Sequence, residues 1–254
     1  MKISICSDAL YFEKDYVQAM KELASAGYRD IEFWSWWDKD LAVLKELKEE
    51  FNINFVAICT KFISLVDSGK HDEYIQGLVE SIAAAKEIGC NILISQVGDE
   101  LEGISRCVQH DNLVAGLKKA APLLEESGIL LVIEPLNTRV DHKGYYLWDS
   151  DEAFEIIDKV NSKNIKVIFD IYHQQIMQGD LLKRIEQNIS KIGHFHAAGN
   201  PGRGHPESGE IDYTEVACAT DSFGYSGHIG MEYFSKDPVL EGLEKCRKIF
   251  QCDI

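Results

Sequence analysis

Short apolar runs rich in Ile, Val and Phe alternate with longer amphipathic stretches along the whole chain, and this alternation leaves few folds open. The apolar runs lie near residues 2–6, 28–33, 53–59, 91–97, 130–134, 165–170, 192–197 and 228–233. Most are apolar on both alternating faces, the pattern of parallel strands covered on one side and packed together on the other. The stretches between them read as helices near 14–26, 39–51, 71–88, 109–127, 149–161, 177–190, 213–220 and 238–250. Gly27, Gly89 and Gly128 each stand between a helix and a strand, where a left-handed helix end favours a residue without Cβ. Asp237-Pro238 offers an N-cap followed by a first-turn proline, and Asp149 with Glu152 has capping-box spacing. An open doubly wound sheet would have two edge strands to hide and a glycine-rich turn after its first strand. Cys6-Ser7-Asp8-Ala9 supplies no such turn. The expected fold is therefore α/β, a (β/α)8 TIM barrel. It is expected to form a single domain over residues 1–254, since a barrel of about 250 residues is one domain and no linker interrupts the chain.

Charge narrows the partners. The net charge of −16 repels a polyanion at long range, and no basic patch offsets it, so nucleic acid is not an expected partner. Seven cysteines, Cys6, Cys59, Cys90, Cys107, Cys218, Cys246 and Cys252, are scattered without a C-x-x-C pair. An odd, dispersed set suits reduced thiols better than a disulfide framework or a cysteine metal site. No signal-peptide pattern opens the chain, and no apolar run approaches the roughly 18 residues that span a bilayer. The expectation is a soluble cytoplasmic protein without a membrane partner. Assembly into a homo-oligomer stays open, because no interface can be read.

Ligating residues close four successive strands: Leu130 to Glu134, Ile165 to Asp170, Ile192 to His196 and His228 to Glu232. In a barrel all four strand ends lie on the C-terminal face, where this fold builds its active sites. Three carboxylates gathered in a half-buried pocket would raise one another's pKa unless a cation neutralised them. A divalent metal held by Glu134, Asp170, His196 and Glu232 answers that need. Oxygen-rich ligation with one imidazole suits Mn2+, Mg2+ or Co2+ more than structural zinc, with catalytic Zn2+ left open. Taken singly, each residue is as readily a strand-end ion pair; four in register favour a site.

Ile133-Glu134-Pro135-Leu136-Asn137, Phe169-Asp170-Ile171-Tyr172-His173, Gly193-His194-Phe195-His196, Ala198-Gly199-Asn200-Pro201-Gly202-Arg203 and Gly209-Glu210-Ile211-Asp212-Tyr213 together resemble the hydroxypyruvate isomerase family of the xylose isomerase-like barrel superfamily. The resemblance implies one metal held by the same four residues, with Glu134 and Glu232 also the acid/base pair. It implies an aldehyde–ketone isomerase acting on a small hydroxy-carbonyl compound, hydroxypyruvate or a related sugar or keto acid. A ketose 3-epimerase and a 2-oxo-tetronate isomerase are near alternatives, an endonuclease IV-like phosphodiesterase a distant one. A barrel that binds sugar or metal without turnover is the non-enzymatic alternative.

Further residues are weaker candidates. His173, just past the sixth strand, is placed to hydrogen-bond a substrate oxygen, and Arg203 to fork onto a substrate carboxylate or hydroxyls. His194 and His228 share strand parity with His196 and Glu232 and are expected to point into the barrel one layer deeper. Phe33-Trp34-Ser35-Trp36-Trp37 serves equally as a pocket wall or as helix packing. Lys61, His205 and Glu207 are as readily solvated as functional.

Overall fold

Strands β1 (Lys2–Cys6), β2 (Asp30–Phe33), β3 (Asn54–Cys59), β4 (Ile92–Ser95), β5 (Leu130–Ile133), β6 (Ile165–Asp170), β7 (Ile192–Ala197) and β8 (His228–Met231) pair in chain order as a closed parallel barrel in the computed structural model. The structure describes residues 1–234 and 238–250. Closure runs through β1 and β8, with Lys2 opposite His228 and Ile5 opposite Met231. The expected TIM barrel is the observed one.

The helices are α1 (Ser7–Leu10), α2 (Tyr16–Ser25), α3 (Leu41–Phe51), α4 (His71–Ile88), α5 (Arg106–Ser127), α6 (Ser150–Val160), α7 (Ile171–Met177), α8 (Leu181–Asn188), α9 (Tyr213–Ser222) and α10 (Val239–Phe250). No helix among the described residues is long and apolar enough to cross a membrane. Buried side chains form two clusters. The larger joins strands to helices. The smaller, Val56, Ala57, Cys59, Ile94, Val132 and Ile168, contains strand residues only, as the inside of a barrel requires.

Local chemistry explains the element ends. Gly89 and Gly128 close α4 and α5 in left-handed conformation, as expected. Gly27 also has positive φ, two residues past the end of α2. The Asp149 side chain accepts hydrogen bonds from the backbone of Asp151 and Glu152 at the start of α6. The capping box is nevertheless incomplete. Glu152 turns away to accept from Tyr146 and pair with Arg106 and His110. The N-cap expected at Asp237 lies outside the described residues. The helix expected at 177–190 is observed as α8, Leu181–Asn188; Gly179 with positive φ separates it from α7, a helix the apolar pattern did not announce and which Asp170 caps directly at the end of β6. Five strands end earlier or start later than their apolar runs; β5 and β8 end early, so Glu134 and Glu232 are each the first residue past a strand.

Candidate active site

Parallel strands deliver their C-terminal ends to one rim, and β5, β6, β7 and β8 are neighbours there. Glu134, Asp170, His196 and Glu232 are all buried at those ends. The structure brings Glu134, Asp170 and Glu232 together with His173, each offering a ligand atom within 4.8 Å of the others. His196 meets the same centre through Nδ1, 3.4 Å from Glu134 Oε1 and 3.5 Å from Glu232 Oε2. Its other nitrogen faces Glu32, which with His194 and His196 makes a second close group.

Hydrogen bonding distinguishes the two imidazoles near the carboxylates. The Asn137 side-chain oxygen accepts from the backbone of Val140 and Asp141, which fixes the amide so that its Nδ2 donates to His173 Nδ1 at 2.7 Å. The Asn137 backbone N–H donates to the same nitrogen at 3.2 Å. His173 Nδ1 is thus an acceptor, and a neutral ring then carries its proton on Nε2, 3.7 Å from Asp170 Oδ2. Burial holds His173 well below the usual imidazole range, with Arg203 acting in the same direction, so the ring is neutral and Nε2 a donor. A protonated nitrogen is no metal ligand; His196 is the imidazole suited to that role.

Glu134 Oε1, Asp170 Oδ2 and both His196 nitrogens are buried without a hydrogen-bond partner. Such orphans are costly unless something meets them. Three converging carboxylates, with His196 Nδ1 facing two of them, are a donor set of the kind a divalent cation takes, and the residues fit such an ion.

The electrostatics carry the same tension. Burial, with Glu134 and Glu232 adding and His196 opposing, raises Asp170 to about 7. Burial would lift Glu232 too, but His196 and Arg203 outweigh it and hold the carboxyl well below its usual range. Its Oε1 accepts from Trp34 Nε1 at 2.6 Å and its Oε2 from Arg203 Nη2 at 2.7 Å. Burial opposes charge on His196 as well, yet Glu232 and Glu32 carry it well above the imidazole range.

Beside these groups opens a cavity of about 290 Å³. Glu134, His196, Arg203 and Glu232 give it a polar side; Trp34, Phe62, Leu136 and Phe234 wall it, and Cys59, Ile94, Gln96 and His142 complete it. Of the weaker candidates, Trp34 is a wall and a hydrogen-bond donor at once. Trp36 instead donates to Ser81 on α4, and Trp37 packs edge-on against Phe62. Lys61 pairs with Glu80 beside Trp36 and does not line the cavity. His205 lies 3.3 Å from the Tyr233 hydroxyl and Glu207 pairs with Lys245 of α10, and neither lines the cavity. His194 lies inside the barrel against Glu32, as its parity predicts. His228 does not: it begins β8, at the opposite end of the barrel, 3.4 Å from Asp30. Glu32 and His142 escaped the sequence reading. Glu32 was detectable by the rule that found the others, an acidic residue near the end of an apolar strand; His142, in a polar loop, had no such signal.

Fold and rim together define a (β/α)8 barrel enzyme with a carboxylate–imidazole centre. A family model described as xylose isomerase-like TIM barrel matches residues 20–249. The hydroxypyruvate isomerase of Escherichia coli is 32% identical over 96% of this chain and 97% of its own. The 2-oxo-tetronate isomerase of Cupriavidus necator is 40% identical over 49% of this chain and 47% of its own. A solved structure named AP endonuclease, family 2, from Brucella melitensis matches with a TM-score of 0.92 and 27% identity, covering 97% of this chain and 98% of that one. The chain belongs to the xylose isomerase-like TIM barrel family and, within it, to the hydroxypyruvate isomerases; it is an isomerase of that family.

Proposed function

We propose that this isomerase is metal-dependent and interconverts the aldehyde and ketone forms of a small hydroxy-carbonyl compound, with hydroxypyruvate and tartronate semialdehyde as the first pair to test. The observation that carries the reading is the convergence of Glu134, Asp170 and Glu232, with Glu134 Oε1 and Asp170 Oδ2 left without donors, beside a cavity of small-molecule size. Glu134, Asp170, His196 and Glu232 would hold the ion. When bound, a divalent cation such as Mn2+, Mg2+, Co2+ or Zn2+ supplies Lewis-acid stabilisation of the negative charge developing on substrate oxygens.

The protein's own groups do the rest. One glutamate takes the proton from the hydroxyl-bearing carbon and the other delivers a proton to the neighbouring carbon, while the hydroxyl proton passes to the former carbonyl oxygen, so the carbonyl moves by one position with atoms conserved. Glu232, held anionic by Trp34 and Arg203, is suited to accept the proton; Glu134, whose Oε1 has no partner, is suited to exchange one with substrate. His173 offers its Nε2 proton beside Asp170 as a donor to a substrate oxygen. Arg203 keeps Nε without a partner, and with His142 Nε2 in the same state it offers recognition to a substrate carboxylate. Apolar walls from Trp34, Phe62 and Phe234 keep water from the carbanionic carbon. The same proposal places the enzyme in the cytoplasm, in keeping with the six cysteines among the described residues, all free thiols.

The Cupriavidus relative's name favours a second substrate of the same chemistry, a 2-oxo-tetronate. A ketose epimerase would invert a centre without moving the carbonyl, so product analysis separates them. The phosphodiesterase alternative must bring a polyanion to a chain of charge −16. The test is incubation with Mn2+ and hydroxypyruvate in D2O. Deuterium is expected at carbon in the product, and Glu134→Gln and Glu232→Gln should each reduce its incorporation at least about a hundredfold. Undiminished incorporation in either variant removes that residue from the acid/base pair.

A further inference from the structure

Two members of the second buried group, Glu32 and His194, take no part in the chemistry above and do not line the cavity; the third, His196, joins them to it. Glu32 divides its oxygens between two rings. Oε2 lies 2.8 Å from His194 Nε2, and Oε1 lies 3.6 Å from His196 Nε2 with Ser4 Oγ 3.4 Å away. His196 therefore presents Nδ1 to Glu134 and Glu232 and Nε2 to Glu32. An imidazole that gives its Nδ1 lone pair to a cation carries its proton on Nε2, and a buried N–H needs an acceptor. Glu32 Oε1 is the carboxylate oxygen facing it.

Gly230 supplies an independent sign. It sits opposite His196 in the β7–β8 register, and a Cβ there would lie 1.7 Å from Glu32 Oε1 and 2.6 Å from His196 Cδ2. Its φ is not in the left-handed region, so room for those two side chains, not backbone conformation, is what glycine provides. Any side chain at 230 would push Glu32 from His196.

We propose that Glu32 is a positioning residue of the metal centre: clamped by His194 beneath Gly230, its carboxylate fixes His196 in the tautomer that turns a bare Nδ1 towards Glu134 and Glu232. The proposal rests on the metal reading given above. Carboxylates behind metal-bound imidazoles raise ligand basicity and hold ring orientation, and their loss typically weakens metal binding by about 10–100-fold.

The experiment is Mn2+ titration of the full chain, compared with Glu32→Gln, which keeps the side chain's size, and Gly230→Ala, which keeps its charge but displaces it. One equivalent is expected in the unaltered protein. Both variants are expected to bind it about tenfold or more weakly with unchanged circular dichroism. Long-range 1H–15N spectra of the unaltered protein loaded with Zn2+ should show His196 protonated on Nε2 only, a readout that needs no variant to fold. Full affinity in Glu32→Gln, or a Nδ1 proton on His196 in the loaded protein, overturns the assignment. A second Mn2+ equivalent that vanishes in Glu32→Gln overturns it differently, making the trio a cation site of its own. Failure of the metal reading itself is told apart by Glu134→Ala: binding as tight as in the unaltered chain removes the centre, whereas lost binding there with full affinity in Glu32→Gln removes only the role of Glu32.

Discussion

Glu134 and Glu232 reach the cavity from equivalent places, each one residue past its strand, yet in different states. Both oxygens of Glu232 are met by donors, Trp34 Nε1 and Arg203 Nη2, while Glu134 Oε1 has none. A hydrogen bond from a neutral donor to a buried charge contributes on the order of 1.5–3 kcal/mol, which corresponds to roughly ten- to hundredfold in a rate constant. Trp34→Phe keeps the wall and removes the donor. We therefore expect kcat to fall about tenfold or more with KM little altered, measured by steady-state turnover. A rise in KM alone would show that Trp34 only shapes the cavity. The asymmetry could not be read from the sequence: Trp34 is 198 positions from Glu232, and only barrel closure through β1 brings β2 near β8. The carboxylates themselves were legible, because a charged residue at the end of an apolar strand is conspicuous in one dimension. His173 was legible as a rim residue but not as a donor, since its tautomer depends on how Asn137 is turned by Val140 and Asp141.

At the scale of elements, the strand–helix alternation specified the barrel because burial on both faces leaves a parallel strand no polar side to show. What it did not specify was where a helix begins. The helix expected from residue 177 starts only at Leu181, because Gly179 and Asp180 both take positive φ and separate it from α7. The division has a structural use. Gln178 at the end of α7 donates to Asp149 at 2.8 Å and accepts from Ser150 at 2.9 Å, tying α7, which carries His173, to the cap of α6. Asp149 thus serves a helix N-terminus and an interhelical contact. Asp149→Ala is expected to cost about 1–2 kcal/mol in chemical denaturation, the upper range for an N-cap. An effect below about 0.5 kcal/mol would mean that water replaces the carboxylate without loss.

Over the whole molecule, the buried centre sets how stability depends on pH and on metal. Asp170, an acid raised to about 7, binds its proton more tightly folded than unfolded. Its contribution is therefore largest at low pH and is lost as pH rises from the unfolded carboxylate range towards 7. Glu32 has the opposite sign. Burial disfavours its charge, but His194 and His196 hold it at about 2, so its contribution is present above the unfolded value near 4.5 and lost as pH falls towards 2. Without an ion, then, the centre is protonated near pH 5.5 at Asp170 and His196 and strained by negative charge near pH 8 at Asp170. A divalent cation must displace those protons at the lower pH and finds Asp170 already ionised at the higher one. Each displaced proton makes apparent affinity climb about tenfold per pH unit below that group's pKa. The net charge of −16 adds a long-range attraction for cations at both pH values, but it cannot produce this difference. Because an ion that binds only the folded state raises the melting temperature as its affinity rises, the Tm gain from a fixed Mn2+ concentration should be several degrees larger at pH 8 than at pH 5.5. Thermal unfolding with and without Mn2+ at both pH values measures it. An equal gain at the two would mean that the ion does not compete with protons at Asp170 and His196, and so does not bind among them.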